Sequence, residues 1–361
     1  MKNIVGLFTN DKIISISPMG NGHINSTYRV SLEEENGSQY NIIMQKINNY
    51  VFPDVANLMQ NICSVTGYLQ NNMSADEDIH RSVLSVIPSL SGKMYEEIDG
   101  SYYRCLVMIE DTITYDIIEK PQDFYNCAAA FAEFHKKLAD FPAHTLAETI
   151  VNFHNTEIRY ENFLKSVNED VARRAKNVTE EIQQCIDKNY LSSRITSKLK
   201  RGQIPLRVVH NDAKLNNILF DKDTGKPLCI VDLDTVMPGA ACYDFGDMIR
   251  SGGAGTAEDE HNLEKVCLNM ELFRSCAAGY MSSGKDFLTD EEIETFVIAP
   301  LVITYENALR FLTDYLSGDV YFGIKYADQN LWRCRTHLKL VEDMEKRLPQ
   351  MREIIHMFAG R

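Results

Sequence analysis

The run His210–Asn211–Asp212–Ala213–Lys214–Leu215–Asn216–Asn217 places the tightest constraint on what this chain can fold into. It follows the β-rich Leu206–Val209 and precedes the apolar Ile218–Phe220, so it reads as a polar loop between two strands. A plain turn has no need of an aspartate and an asparagine five residues apart. Phosphoryl transfer does: it needs a carboxylate to accept a hydroxyl proton and an amide oxygen to hold a divalent cation. The spacing is H-x-D-x-x-x-x-N, which makes Asp212 the base and Asn217 a metal ligand. His210 then serves the loop through backbone hydrogen bonds.

Twenty residues beyond Asp212 comes Ile230–Val231–Asp232–Leu233–Asp234–Thr235. The strand before it would project Asp232 from its end. Asn217 and Asp232 together, completed by water and phosphate oxygens, suit an octahedral Mg²⁺. Asp234 lies on the same side of an extended chain. Asp244–Phe245–Gly246 spells a second metal motif, but a Pro238–Gly239 turn precedes it. Asp244 is therefore expected to cap a helix starting near Phe245 and to bond back to the loop.

The nucleotide side is sought upstream. Gly20–Asn21–Gly22 lies between two predicted strands, where glycines let backbone amides approach phosphate oxygens. A kinase-like site also places a strand lysine on the α/β-phosphates. Here the inward slot of Ile42–Ile43–Met44–Gln45–Lys46 falls on Gln45, and Lys46 points to the other face. The chain contains no GxxxxGK[ST] phosphate loop and no dinucleotide GxGxxG opening a helix.

Residues 1–110 read as strands at 13–17, 27–32, 40–47, 83–87, 94–98 and 102–109, with one helix at 53–69. The remainder, 111–361, reads as mostly helical, at 128–138, twice within 155–200, and at roughly 260–280, 290–317 and 329–347. The expected fold is α+β and bilobal, protein-kinase-like, with a strand-rich nucleotide-binding lobe and a helical catalytic lobe. The junction is placed near Met108–Thr112, and Glu258–Glu260 reads as a solvated helix start.

A net charge of −14 argues against nucleic acid or an anionic membrane surface as partner. Nine cysteines without a CxxC pair, most among apolar residues, read as buried thiols of a reducing cytosol. No secretory signal or membrane-spanning run is expected.

Several segments together resemble the aminoglycoside phosphotransferase and choline kinase family, and most of all its bacterial N-acetylhexosamine 1-kinases. They are GNGHINSTY (20–28), FPDVANLM (52–59), ETIVNFHNT (148–156), IPLRVVHNDAKLNNIL (204–219), IVDLDTVMPG (230–239), DFGD (244–247) and RFLTDYLSGDVYF (310–322). The resemblance implies ATP and Mg²⁺ as cofactors and an N-acetylhexosamine as acceptor, phosphorylated at its anomeric hydroxyl. It implies that Met108, Ile109 and Glu110 form the adenine hinge and that Lys214 contacts the γ-phosphate. It assigns His23, Asp234, Arg310 and Tyr321 to the sugar. It also implies a cytoplasmic monomer or weak homodimer.

Two other readings remain. One is a kinase for a different small alcohol, such as choline, homoserine, methylthioribose or an aminoglycoside. The other is a pseudokinase without turnover, which the Gln45 slot motivates. Arg310 also has Asp314 at i+4, so an ordinary helix-surface ion pair competes with its sugar role.

Overall fold

The computed structural model describes residues 1–19, 24–74, 78–115, 118 and 120–361. In chain order its helices are α1 (Lys2–Val5), α2 (Val55–Asn71), α3 (Ile79–Ser82), α4 (Pro121–Lys137), α5 (Thr156–Glu169), α6 (Thr179–Asp187), α7 (Thr196–Lys200), α8 (Cys242–Gly252), α9 (Met270–Gly284), α10 (Asp290–Ser317) and α11 (Gln329–Ala359). Its strands are β1 (Lys12–Pro18), β2 (Ser26–Glu33), β3 (Gln39–Ile47), β4 (Val86–Ile87), β5 (Glu96–Ile98), β6 (Ser101–Val107), β7 (Thr112–Ile113), β8 (Arg207–Val209), β9 (Ile218–Asp221), β10 (Pro227–Ile230) and β11 (Met237–Gly239). The chain gathers into two compact units. One is Met1–Ile113 with His144–Val151 and Leu219–Met237; the other is Thr114–Ala143, Asn152–Ile218 and Pro238–Arg361.

The first unit is built on an antiparallel sheet in the order β1-β2-β3-β6-β4, with β5 also paired to β6. Strand alternation sorts its side chains. Val30, Leu32, Ile42, Met44 and Cys105 face one way and are covered by Val5 of α1 and by Phe8. The register sets Thr27 opposite Gln45 and Gln45 opposite Arg104, a polar row across three strands on the other face. Gly37, at φ 86°, makes the β2–β3 turn in a conformation few side chains tolerate. Asp54 starts α2 by accepting the Asn57 N–H at 3.0 Å. Further along α2 the buried Asn61 donates to the carbonyls of Ala147 (2.8 Å) and Val236 (2.9 Å) and accepts the Ala147 N–H (3.0 Å). One amide thereby ties three separate stretches of chain into this unit.

The second unit is helical. Close backbone approaches define its packing. A Cβ on Gly246 would come within 2.8 Å of the Ala299 carbonyl, which lets α8 lie against α10. A Cβ on Gly279 would come within 2.2 Å of the Tyr125 carbonyl, which does the same for α9 and α4. Thr289 and Glu292 form a reciprocal capping box that starts α10. By length and composition α10 could cross a membrane, yet 89% of its most apolar stretch is buried within the chain. It is a core helix.

The mixed class and the division of strand-rich from helical sequence are as expected; several boundaries differ. The predicted strand at 83–87 shrinks to β4, because Asp78 caps the helical turn α3 just before it. The polar stretch 155–200 holds three helices rather than two: the positive φ of Asp170 ends α5, and a second break at 188–195 separates α7 from α6. The helix expected from 260 begins only at Met270, capped by Asn269. Glu258–Glu260 is no helix start. Arg250 and Arg333 take the Glu258 carboxylate, and Tyr326 and Gln329 take Asp259. The last helix runs past Pro349 to Ala359, held by buried Met351, Ile354 and Ile355. All nine cysteines are free thiols.

Candidate active site

The catalytic-loop candidates sit in the second unit, between β8 and β9, and their anchor is Asp244 in the first turn of α8. This carboxylate is fully buried. One oxygen accepts the His210 N–H (2.8 Å) and the ring N–H of His135 (2.8 Å); the other accepts the Asn211 N–H (2.7 Å). The other ring nitrogen of His135, Nδ1, is hydrogen-bonded to the Tyr280 hydroxyl. Burial pushes the Asp244 carboxyl up, but the bond and charge of His135, then His210, outweigh it and hold it below its ordinary value. Asp244 lies inside the helix rather than at its cap. Ala241 holds that position without a side-chain bond, so the expected bonding to the loop is present and the expected capping is not.

Asn211 takes the left-handed conformation, φ 65°, and turns the chain so that Asp212 and Asn217 meet. The Asn217 amide donates to the Asp212 carbonyl (2.7 Å) and to its carboxylate (3.1 Å). Both bonds use the amide nitrogen of Asn217 and neither uses its oxygen. Lys214 forms an ion pair with the other Asp212 oxygen. Burial raises the Asp212 pKa, but the Lys214 charge, its hydrogen bond, His210 and the Asn217 amide together bring it below the ordinary carboxylate value. The group is therefore ionised at neutral pH, as a proton acceptor must be. Lys214 is likewise lowered by burial and raised, on balance, by Asp212 and Asp247. Asp247 in turn accepts from Arg250 (2.7 Å), and its second oxygen is buried without a hydrogen-bond partner among the described residues.

The nucleotide-side candidates lie in the first unit. Gly20, Asn21, Gly22 and His23 fall outside the described residues. Gln45 donates to Thr27 (3.0 Å) and accepts from Arg104 Nε (2.8 Å); Lys46 is exposed on the opposite face. Arg104 also pairs with Asp234, whose other oxygen accepts from Asn25 at 2.5 Å. Asp232, two residues earlier, takes φ 59° and ψ 52° and opens a short 3₁₀ turn. Met108, Ile109 and Glu110 follow β6 as irregular backbone. There Arg81 donates to the carbonyls of Glu110 (3.2 Å) and Asp111 (3.3 Å) while pairing with Asp221 at 3.0 Å.

A third cluster surrounds Arg310 in the second unit. Its guanidinium lies over the rings of Phe153 (5.4 Å) and Phe322 (5.3 Å) and donates to Asn307 (3.2 Å). Asp314, its i+4 neighbour, instead receives the backbone N–H groups of Val320, Tyr321 and Phe322 and shapes the loop that presents the exposed Tyr321. Nearby His154 is buried against Glu306 at 2.7 Å, a core histidine. Burial and the Arg310 charge both lower the Arg159 pKa, so two guanidinium groups share this wall.

Arg104, Asp247, Arg250 and Arg81 were not singled out by sequence reasoning. A signal existed for one of them. Arg104 is a lone charge inside the otherwise apolar or aromatic Tyr102–Val107, and such a residue needs a buried partner. Nothing local marks Arg81, whose partners lie up to 140 positions away.

Two units, one sheet-based and one helical, with an aspartate–asparagine loop anchored on a buried acid, define an α+β protein-kinase-like phosphotransferase fold. Among solved structures the chain is similar to an aminoglycoside phosphotransferase from Alicyclobacillus acidocaldarius, at 11% identity and TM-score 0.60 over 99% of this chain and 96% of that one. It is similar to choline kinase from Cryptosporidium parvum at 15% identity and TM-score 0.57, over 96% and 93%. The amicoumacin kinase hAmiN, solved in complex with AMP-PNP, Ca²⁺ and Ami, matches at 13% identity and TM-score 0.57, over 96% and 92%. The family model for phosphotransferase enzymes, APH, matches residues 81–269. The chain belongs to the phosphotransferase enzyme family.

Proposed function

We propose that the protein transfers the γ-phosphoryl group of Mg·ATP to the anomeric hydroxyl of an N-acetylhexosamine, giving the sugar 1-phosphate and ADP. One observation carries the reading: Asp212 is held ionised by Lys214 and Asn217 on a loop whose backbone is fixed by Asp244. In this role Asp212 accepts the anomeric proton, which is more acidic than that of an ordinary alcohol. Asn217 and Asp232 would be the ligands of Mg²⁺, which would neutralise charge on the phosphates. Among the described residues no three His, Cys, Asp or Glu side chains are grouped as a metal cage. That donor set suits Mg²⁺, which keeps waters and takes phosphate oxygens as ligands. Lys214 exchanges Asp212 for the γ-phosphate when nucleotide binds. Residues 1–110 serve the nucleotide, through Gly20–Gly22, Gln45 and the Met108–Glu110 hinge. Residues 111–361 supply catalysis and most of the acceptor site.

The acceptor reading favours a neutral, carbonyl-bearing sugar. Two guanidinium groups, Arg159 and Arg310, stand with the buried Glu306 carboxylate in this wall, and they supply donors that a carbonyl oxygen can accept from. An N-acetyl oxygen suits the Arg310 guanidinium, with Tyr321 and His23 at the rim. Asp234 keeps lone pairs for a sugar hydroxyl beyond those used by Arg104 and Asn25. The nine free thiols fit a reducing cytosol, and monomeric or weakly dimeric protein is expected there.

Phosphorus NMR of the product tests the reading. N-acetylglucosamine or N-acetylgalactosamine with Mg·ATP should give a phosphomonoester signal coupled to the anomeric proton. A product formed only from choline, homoserine or an aminoglycoside would overturn the substrate assignment. ATP untouched with every acceptor would make the chain a pseudokinase.

A further inference from the structure

We propose that Arg104 replaces the missing strand lysine as a positioning residue: it clamps the Asp232–Asp234 turn to the sheet and so fixes the carboxylate that binds the metal. This inference rests on the kinase reading of the preceding section. A strand lysine in such a fold supplies a positive charge above the phosphates. Here β3 offers the neutral Gln45, and the cation comes from the neighbouring strand, directly across the register. Arg104 is only 2% exposed, so it does not reach for phosphate itself. Its planar fork divides instead between the Gln45 oxygen (2.8 Å) and the Asp234 carboxylate.

The clamp has a specific object. Asp232 sits at φ 59°, the left-handed conformation that aspartate enters more readily than most side chains, so its carboxylate leaves the strand end at a sharp turn. The turn after it is held at every step. Asp234 is gripped by Arg104 and Asn25, its carbonyl accepts the Thr149 hydroxyl (3.3 Å), and the Val236 carbonyl accepts Asn61 (2.9 Å). Of these, the Arg104–Asp234 pair is the ionic one, and it is nearly dry: the side chains are 3% and 5% exposed. Removing one partner leaves the other charge buried alone, so the turn must move to relieve it. Gln45 is then the second half of the device. Its amide, fixed by Thr27, presents its oxygen to Arg104 and aims the guanidinium. A lysine at position 45 would place a second cation beside Arg104, which gives the glutamine a physical reason.

The test is calorimetric titration of Mn²⁺ into the ADP-loaded full-length protein, a readout that needs no turnover. Arg104→Met should weaken Mn²⁺ binding about tenfold or more. Arg104→Lys should recover part of that loss, because one ammonium cannot serve Gln45 and Asp234 with a fork. Asp234→Asn should weaken binding too, and the double variant should lose no more than the worse single one. Val30→Ala, in the apolar face of the same sheet, should lower the melting temperature and leave Mn²⁺ affinity unchanged. The clamp is refuted if Arg104→Met, or Arg104→Lys where the methionine variant does not fold, together with Asp234→Asn binds Mn²⁺ like wild type. Failure of the wild-type protein to bind Mn²⁺ and ADP at all would refute the kinase reading itself, and the clamp with it.

Discussion

The two aspartate-bearing turns of this molecule are held by opposite means. The loop around Asp212 is held through its backbone: two N–H groups dock on the buried Asp244 carboxylate. The turn around Asp232 is held by side chains, by the ion pair of Asp234 with Arg104 and by Thr149 and Asn61 on the carbonyls that follow. Backbone anchoring leaves the Asp212 side chain free to exchange partners, which its proposed role as proton acceptor would require. Side-chain anchoring uses one carboxylate to immobilise another, which would suit the metal ligand proposed for Asp232. The same residue type therefore does different work according to which of its atoms the fold engages.

The largest expected effect tests the chemistry of the first turn. Asp212→Asn removes the acceptor and keeps the shape, so kcat should fall about 10²- to 10⁴-fold while ADP affinity changes little. Steady-state rates and calorimetry measure both. Equal losses in the two would mean that Asp212 is structural. Next comes its anchor. Asp244→Ala leaves two buried backbone N–H groups and His135 without their acceptor, and denaturant melts should show a loss of about 3 kcal/mol or more. Asp244→Asn keeps an acceptor oxygen and should recover part of it. An unchanged Asp244→Ala protein would erase the contrast between the turns.

A comparable effect depends on pH. His337 is buried, donates to the Arg333 carbonyl (2.7 Å), and faces Arg250, Glu258 and Arg333. Burial, opposed by Glu258 and aided by Arg250, pulls its pKa to about 4 from an ordinary 6.5. Between those values the unfolded chain binds a proton that the folded chain refuses. Stability from the neutral ring is thus complete above about pH 6.5 and lost as pH falls toward 4, by up to about 3 kcal/mol. His337→Asn should flatten the stability profile across that window. A profile as steep as wild type would place the charge elsewhere. The smallest effect returns to the first unit. Arg81→Met removes a partly exposed pair and two carbonyl contacts, so about 1 kcal/mol is expected in melts. A larger loss would show that Arg81 holds its unit as Asp244 holds the other.

Much of this was legible locally. The Asp212–Asn217 spacing, the strands β2 and β3 and the span of α10 all follow from patterns within a few residues. The errors share one cause. Glu258–Glu260 looked like a helix start because acids favour that position, but two distant arginines claimed Glu258. The last helix was expected to end near 347, but buried apolar residues beyond Pro349 carried α11 on. Arg310 seemed matched to Asp314 by spacing, yet three backbone N–H groups from the following loop reached that carboxylate instead. In each case a tertiary partner outbid a local preference.

What the amino-acid order determined by itself is which residues face together along a strand or helix and where the chemistry-bearing loop falls, because those depend on neighbours a few positions apart. What only the tertiary structure decided is the partner of each such charge: Asp244 for the loop amides, Arg104 for Asp234, Arg81 for the Glu110 and Asp111 carbonyls. A charge removed from water must find its counterpart wherever the fold brings one, and for Arg104 and Asp234 that was 130 residues away.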